Sequence, residues 1–129
     1  MKTKILVTLI ILTFCISCGY LFQLKPNKKI THRIEYSFQQ TKQPVDLTTL
    51  DLGIQWDKFL ILQPYSQPKD IAKKLPQLDL QNIYQSDIMY SDNHFELVFI
   101  KNNKSIATCN LSRNIKISPK GQLNLFETN

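Results

Sequence analysis

Glycine is scarce: Gly19, Gly53 and Gly121 are the only three in 129 residues. A P-loop and a dinucleotide-binding turn each need several glycines within a few positions, and a nucleophile elbow needs one on each side of its serine, so all three are excluded. Histidine occurs only at His32 and His94, which rules out the HExxH arrangement of common zinc hydrolases. The first alanine is Ala72, so no A-x-A cleavage site follows the N-terminus. Charge is missing altogether from residues 5–24. Apolar residues make up 43% of the chain, too many for a disordered protein and enough for one core in a body of this size.

The uncharged stretch begins ILVTLIIL and follows Lys2 and Lys4. A basic start that stays in the cytoplasm and an apolar run that enters the bilayer are what an export segment requires. Three fates are open. Cys15-Ile16-Ser17-Cys18-Gly19 resembles a bacterial lipobox, in which Cys18, after the small Ser17, is acylated and becomes the new N-terminus. Cys15 stands where that pattern usually has a large aliphatic residue. Alternatively the run stays as an uncleaved helix, since twenty residues at 1.5 Å each reach about 30 Å. Ordinary cleavage and release is the third. All three place the body outside the cytoplasm, anchored to a bacterial membrane or secreted; a buried helix of a cytosolic protein is the remaining alternative. The chain divides into a signal, lipoprotein or membrane-anchor segment (1–24), a polar tether KPNKK (25–29) and a single extracytoplasmic domain (30–129).

The body reads as α+β: an antiparallel meander of five or six strands with one or two short helices. Ile34, Tyr36 and Phe38 alternate with Arg33, Glu35 and Ser37, the pattern of a half-buried strand. Asp46 is placed to cap a short helical turn that Gly53 stops. KFLILQ at 58–63 is a continuous apolar run closed by Pro64, expected as a central strand. Residues 66–75 form the best helix, with Ser66 as cap, Pro68 in the first turn, and Lys73 and Lys74 at the negative end. A weak strand is expected at 85–90 and a strong one, FELVFIK, at 95–101. Asn102-Asn103 suits the positive φ of a tight hairpin leading into 104–110. A further pair, 114–117 with 122–126, is expected around Ser118-Pro119-Lys120-Gly121. Cys109 falls in a strand and reads as a small buried residue.

Net charge is +6, but it is segregated. Residues 25–33 carry four basic groups and no acid, 34–96 carry nine acids and five lysines, and 101–120 carry five basic groups and no acid. The first basic stretch suits anionic headgroups or plain solvation, and the last suits a membrane, a wall polymer or an acidic protein. Nucleic acid is not an expected partner of an exported domain with so modest a charge.

The most distinctive string is Trp56-Asp57-Lys58-Phe59-Leu60-Ile61-Leu62-Gln63-Pro64-Tyr65. With the turn Ser91-Asp92-Asn93, the strand 95–101, the Asn102-Asn103 hairpin and Arg113, it resembles a group of small bacterial lipoproteins and secreted proteins with a WD…PY strand signature. That resemblance covers residues 45–113 loosely and implies a location and a module, not a reaction. From the residues themselves, Trp56 and Tyr65 offer apolar area with a polar handle, and Asp57 can accept hydrogen bonds from Arg113, a tyrosine or backbone amides. These four are the candidate binding residues; a core indole with a capping carboxylate is the structural alternative.

Asp92, His94 and Glu96 form a second cluster, with His94 and Glu96 on one face of a strand. Imidazole and carboxylates attract divalent ions, but the further ligands a metal needs cannot be named, and no metal or cofactor is expected. No catalytic set assembles from the sequence. The leading reading is an anchored envelope protein with a non-catalytic binding module, its partner an envelope protein, a wall polymer or an anionic lipid. A small extracytoplasmic hydrolase or metal-dependent enzyme using Asp57 or His94 is the second reading, and a secreted inhibitor or immunity-type protein the third.

Overall fold

The structure is a computed structural model that describes residues 1–125, with the backbone alone at 15–20. Three helices, α1 (Lys2–Leu21), α2 (Lys28–Thr41) and α3 (Pro68–Lys74), accompany three strands, β1 (Lys58–Leu62), β2 (His94–Lys101) and β3 (Lys104–Ser112). Single 3-10 turns occur at Leu47–Thr49, Gln81–Ile83 and Asp87–Tyr90. The fold is therefore α+β, built on one antiparallel sheet in the order β1-β2-β3.

Residues 30–38, expected as a strand, are the middle of α2. Two periods compete in this stretch. Ile34, Tyr36 and Phe38 alternate, but Ile30, Ile34 and Phe38 recur every fourth residue, and that spacing wins. Ile30 and Ile34 are fully buried while Tyr36 is 58% exposed, which no strand could arrange. Asn27 starts the helix from an extended conformation, its side chain accepting from the amides of Lys29 (3.0 Å) and Ile30 (3.3 Å). Lys42, at φ 54°, ends it by donating its amide to the carbonyl of Phe38 (2.7 Å).

β2 is the central strand, and β1 lies at an edge rather than in the middle as KFLILQ suggested. Every residue from Phe95 to Ile100 is buried, because both faces of the sheet are covered. Phe95, Leu97 and Phe99 pack with Phe59, Ala107, Cys109 and Leu111 against Ile30 and Ile34 of α2. Val98 and Ile100 pack with Leu60 and Leu62 against Ile71, Leu75 and Ile88 on the opposite face. Full burial of each large aliphatic side chain is worth about 1.5–3 kcal/mol. Ile106 is the extra residue of a bulge, since Phe99 faces Ala107 but Ile100 faces Ser105.

Both sheet edges are blocked by short extended segments. On β1, Phe59 donates to Gly121 (3.0 Å) and Leu123 donates to Phe59 (2.8 Å); on β3, Asn27 donates to Thr108 (2.7 Å). Among the described residues the sheet has three strands rather than the expected five or six. The 114–117 and 122–126 segments do not pair with each other. Ile117 bridges Val45 and Gln122 bridges Phe59, each in parallel and each for one residue; Phe126 lies outside the described residues. Residues 85–90 are mostly the 3-10 turn Asp87–Tyr90, because Ser86 caps it by accepting from Ile88 (3.2 Å). α3 begins at Pro68 after Gln67, so Ser66 is not its cap.

The last residue of the segment read as an anchor and the segment read as a tether are both hydrogen-bonded into the body. Leu24 donates to Asn82 (2.7 Å), and Asn27 both caps α2 and joins β3. α1, in contrast, contributes no residue to either core among the described residues. Ile5, Leu6, Val7, Leu9, Ile10, Ile11 and Leu12 are all exposed, so residues 5–12 present apolar side chains around the helix. Among the described residues no helix is long and apolar enough to cross a membrane.

Candidate functional site

Trp56 lies just before β1 with its indole edge-on to Phe59 (5.9 Å, 77°) and Phe99 (5.6 Å, 65°). It is half-buried at the margin of the core. Gly121, at φ +84°, lets the C-terminal segment pass close over the ring; a Cβ there would stand 3.3 Å from Trp56 Cζ3. Asp57 holds the β2–β3 hairpin. Its Oδ2 accepts from the amide of Asn102 (2.8 Å), and its Oδ1 lies 4.0 Å from Lys101 Nζ. The hairpin itself has Asn102 and Asn103 at φ 50° and 61°, the two positive values a tight turn requires.

Tyr65 and Arg113 are elsewhere. Tyr65 follows the far end of β1 at φ 65°, with its ring 60% exposed and its amide donating to Ile88 (2.9 Å). Arg113 follows β3, exposed, and donates to the carbonyl of Asp92 (3.3 Å). The sheet register puts Lys101 opposite Lys104 at one end and His94 opposite Ser112 at the other. Asp57 belongs to the first end, Tyr65 and Arg113 to the second, roughly 23 Å away along an eight-residue strand. The four do not converge. Nor do the basic residues of 101–120 form one face: Lys101 and Lys104 flank the hairpin, Arg113 lies at the opposite end, and Lys120 is 3.4 Å from Asp46. The side chain of Cys18 lies outside the described residues. Cys109 is fully buried, and burial pushes its thiol up to about 12, so it is inert.

The structure assembles a different cluster, of which sequence reasoning saw only part. Glu96 is 2% exposed on the central strand. Ser86 donates its hydroxyl to Glu96 Oε2. Burial raises the carboxyl above its ordinary value, Ser86 and Thr108 oppose that rise, and Asp87 adds to it. Asn110 is the direct cross-strand neighbour of Glu96, and Thr108 faces Val98 one pair further on. Among the described residues the buried atoms Asn110 Oδ1 and His94 Nε2 have no hydrogen-bond partner. His94 is turned by its Nδ1, 2.9 Å from Ser91 Oγ, and its Nε2 is 3.8 Å from Asp87 Oδ1. A protonated Glu96 has a proton to donate to a neighbouring acceptor oxygen, which an ionised one lacks.

The spacing of His94 and Glu96 was visible in the sequence. Ser86, Thr108 and Asn110 were not, because they come from a turn and from the partner strand. Among the described residues no group of three or more His, Cys, Asp or Glu side chains could hold a metal ion. Asp92 is exposed and does not join the cluster through any hydrogen bond of its carboxylate among the described residues. No family model matches the chain, and no curated protein or solved structure matches it either.

Proposed function

We propose that this chain is an exported bacterial envelope protein, held at the membrane by its N-terminal segment, whose body is a non-catalytic binding module. One observation carries the reading: α1 is basic at its start, its apolar side chains over residues 5–12 are exposed, and among the described residues it gives no side chain to either core. A run of exposed apolar side chains along residues 5–12 is an unfavourable surface in water and a favourable one in lipid. Cys18 is the proposed point of lipid attachment. Asp57 is engaged by the Asn102 amide as a clamp on the hairpin, which favours a module over a hydrolase built on that carboxylate.

The test is chemical cross-linking in native membranes, followed by mass spectrometry of what is captured. A stoichiometric envelope partner or wall polymer joined to the body supports the module. Recovery of the chain in the cytosolic fraction, with nothing captured in the membrane, overturns the reading.

A further inference from the structure

Lys28, Lys29, His32, Arg33 and Tyr36 are all exposed on the outer side of α2. They recur at the helical spacing that keeps them together, while Ile30 and Ile34 are fully buried on the other side. Two shallow depressions meet along this face and share His32 and Arg33. One is lined by Lys28, Lys29, His32 and Arg33; the other continues past Tyr36 to Leu50 and Asp51 and is mostly apolar. Arg33 donates to the carbonyl of Asp51 (2.6 Å) and lies 3.9 Å from its carboxylate. Lys28 and Lys29 have no ion pair among the described residues, and Lys25 adds a further exposed positive charge just before the helix.

We propose that this face of α2 is the surface by which the body lies on an anionic phospholipid bilayer. Lys28, Lys29 and Arg33 meet lipid phosphates, and Tyr36 sits at the headgroup level. The inference rests on the reading that the N-terminal segment holds the chain at a membrane, as α1 itself or, after removal of residues 1–17, through a lipid on Cys18. Three features favour a bilayer as the occupant. The charge is of the sign that anionic lipid attracts, and each such residue near the surface adds to the attraction. The face begins directly after α1, with only residues 22–27 between, and Leu21 and Phe22 at that junction are 79% and 74% exposed. The face is also fixed in orientation, because Asn27 caps the helix and bonds to β3. A tyrosine beside a basic cluster is the composition of an interfacial anchor.

The experiment uses the full chain reconstituted into phosphatidylcholine vesicles with or without phosphatidylglycerol. Lysine acetylation rates are read residue by residue by mass spectrometry. Lys28 and Lys29 are expected to react at least ~5-fold more slowly when phosphatidylglycerol is present, and high salt should remove the difference. Lys101 and Lys104, on the hairpin, should react equally in both vesicles. Equal rates at Lys28 and Lys29 in both vesicles, or equal protection of Lys101 and Lys104, overturn the inference and leave the anchor reading intact. Protection in native membranes but not in phosphatidylglycerol vesicles assigns the face to an acidic protein and also overturns it. Failure of the chain to associate with either vesicle defeats the anchor reading itself, and the inference with it.

Discussion

The hydroxyl of Ser86 donates to the buried carboxylate of Glu96, tying the turn that follows α3 to the central strand. Glu96 is the only acidic side chain in the interior among the described residues, and no basic group pairs with it there. Its charge state is therefore linked to folding. The folded carboxyl titrates above its ordinary 4.5, chiefly because burial penalises the anion. Its stabilising contribution is fully present below the unfolded value and is lost as pH rises through the folded one.

Glu96→Gln keeps the shape and removes the ionisation. Wild type should lose urea stability relative to this variant as pH rises from about 4.5, the difference levelling off above the folded value. Parallel urea midpoints across that window check it. The two proteins differ in this one side chain, so the difference reads the Glu96 carboxyl. Glu96→Ala, which leaves Ser86 and a cavity, should cost about 2–4 kcal/mol.

Gly121→Ala should destabilise the protein by about 1–2 kcal/mol, because its φ of +84° is unfavourable for a side chain and the new Cβ would stand 3.3 Å from the indole. Trp56 is the only tryptophan, so its emission reports the displacement directly. An unchanged spectrum and an unchanged midpoint would show that the C-terminal segment does not pack on the ring.

Asp57→Ala should cost about 1–2 kcal/mol, by removing the acceptor for the Asn102 amide. Hydrogen exchange at Asn102 should accelerate, while exchange near Tyr65 and Arg113 stays as in wild type. Loss of protection at both ends of the sheet would mean that the four residues act as one unit.

Cys18→Ala should accumulate as an unprocessed, unlipidated precursor. Metabolic labelling with a fatty acid, together with the migration of the protein on a gel, reads both events. Normal processing and labelling in the variant would exclude Cys18 as the anchor.

Local chemistry was legible where a few adjacent residues decide the outcome. Asp46 caps its turn, accepting from Thr48 (2.9 Å), and Asn102-Asn103 makes the hairpin. The apolar runs at β1 and β2 are strands because both sheet faces are buried. The reading failed where two periods overlapped, in α2, and there the cap at Asn27 was the unused signal. It failed again where pairing is long-range: Gln122 looked like a strand residue and instead seals the edge of β1 through one bridge. The Trp56-Asp57 string looked like a site because its residues are adjacent in sequence, yet one packs on the core margin and the other clamps a turn. The Glu96 cluster was half visible, since its partners come from segments that only folding brings together.

Protease shaving of intact spheroplasts, with fractionation of the same cells, addresses the location of the body most directly. The protein should sediment with membranes, and external protease should degrade the body from outside while a cytoplasmic marker survives. Full protection of the body in intact spheroplasts, or its recovery as a soluble cytosolic protein, would contradict an exported and anchored module.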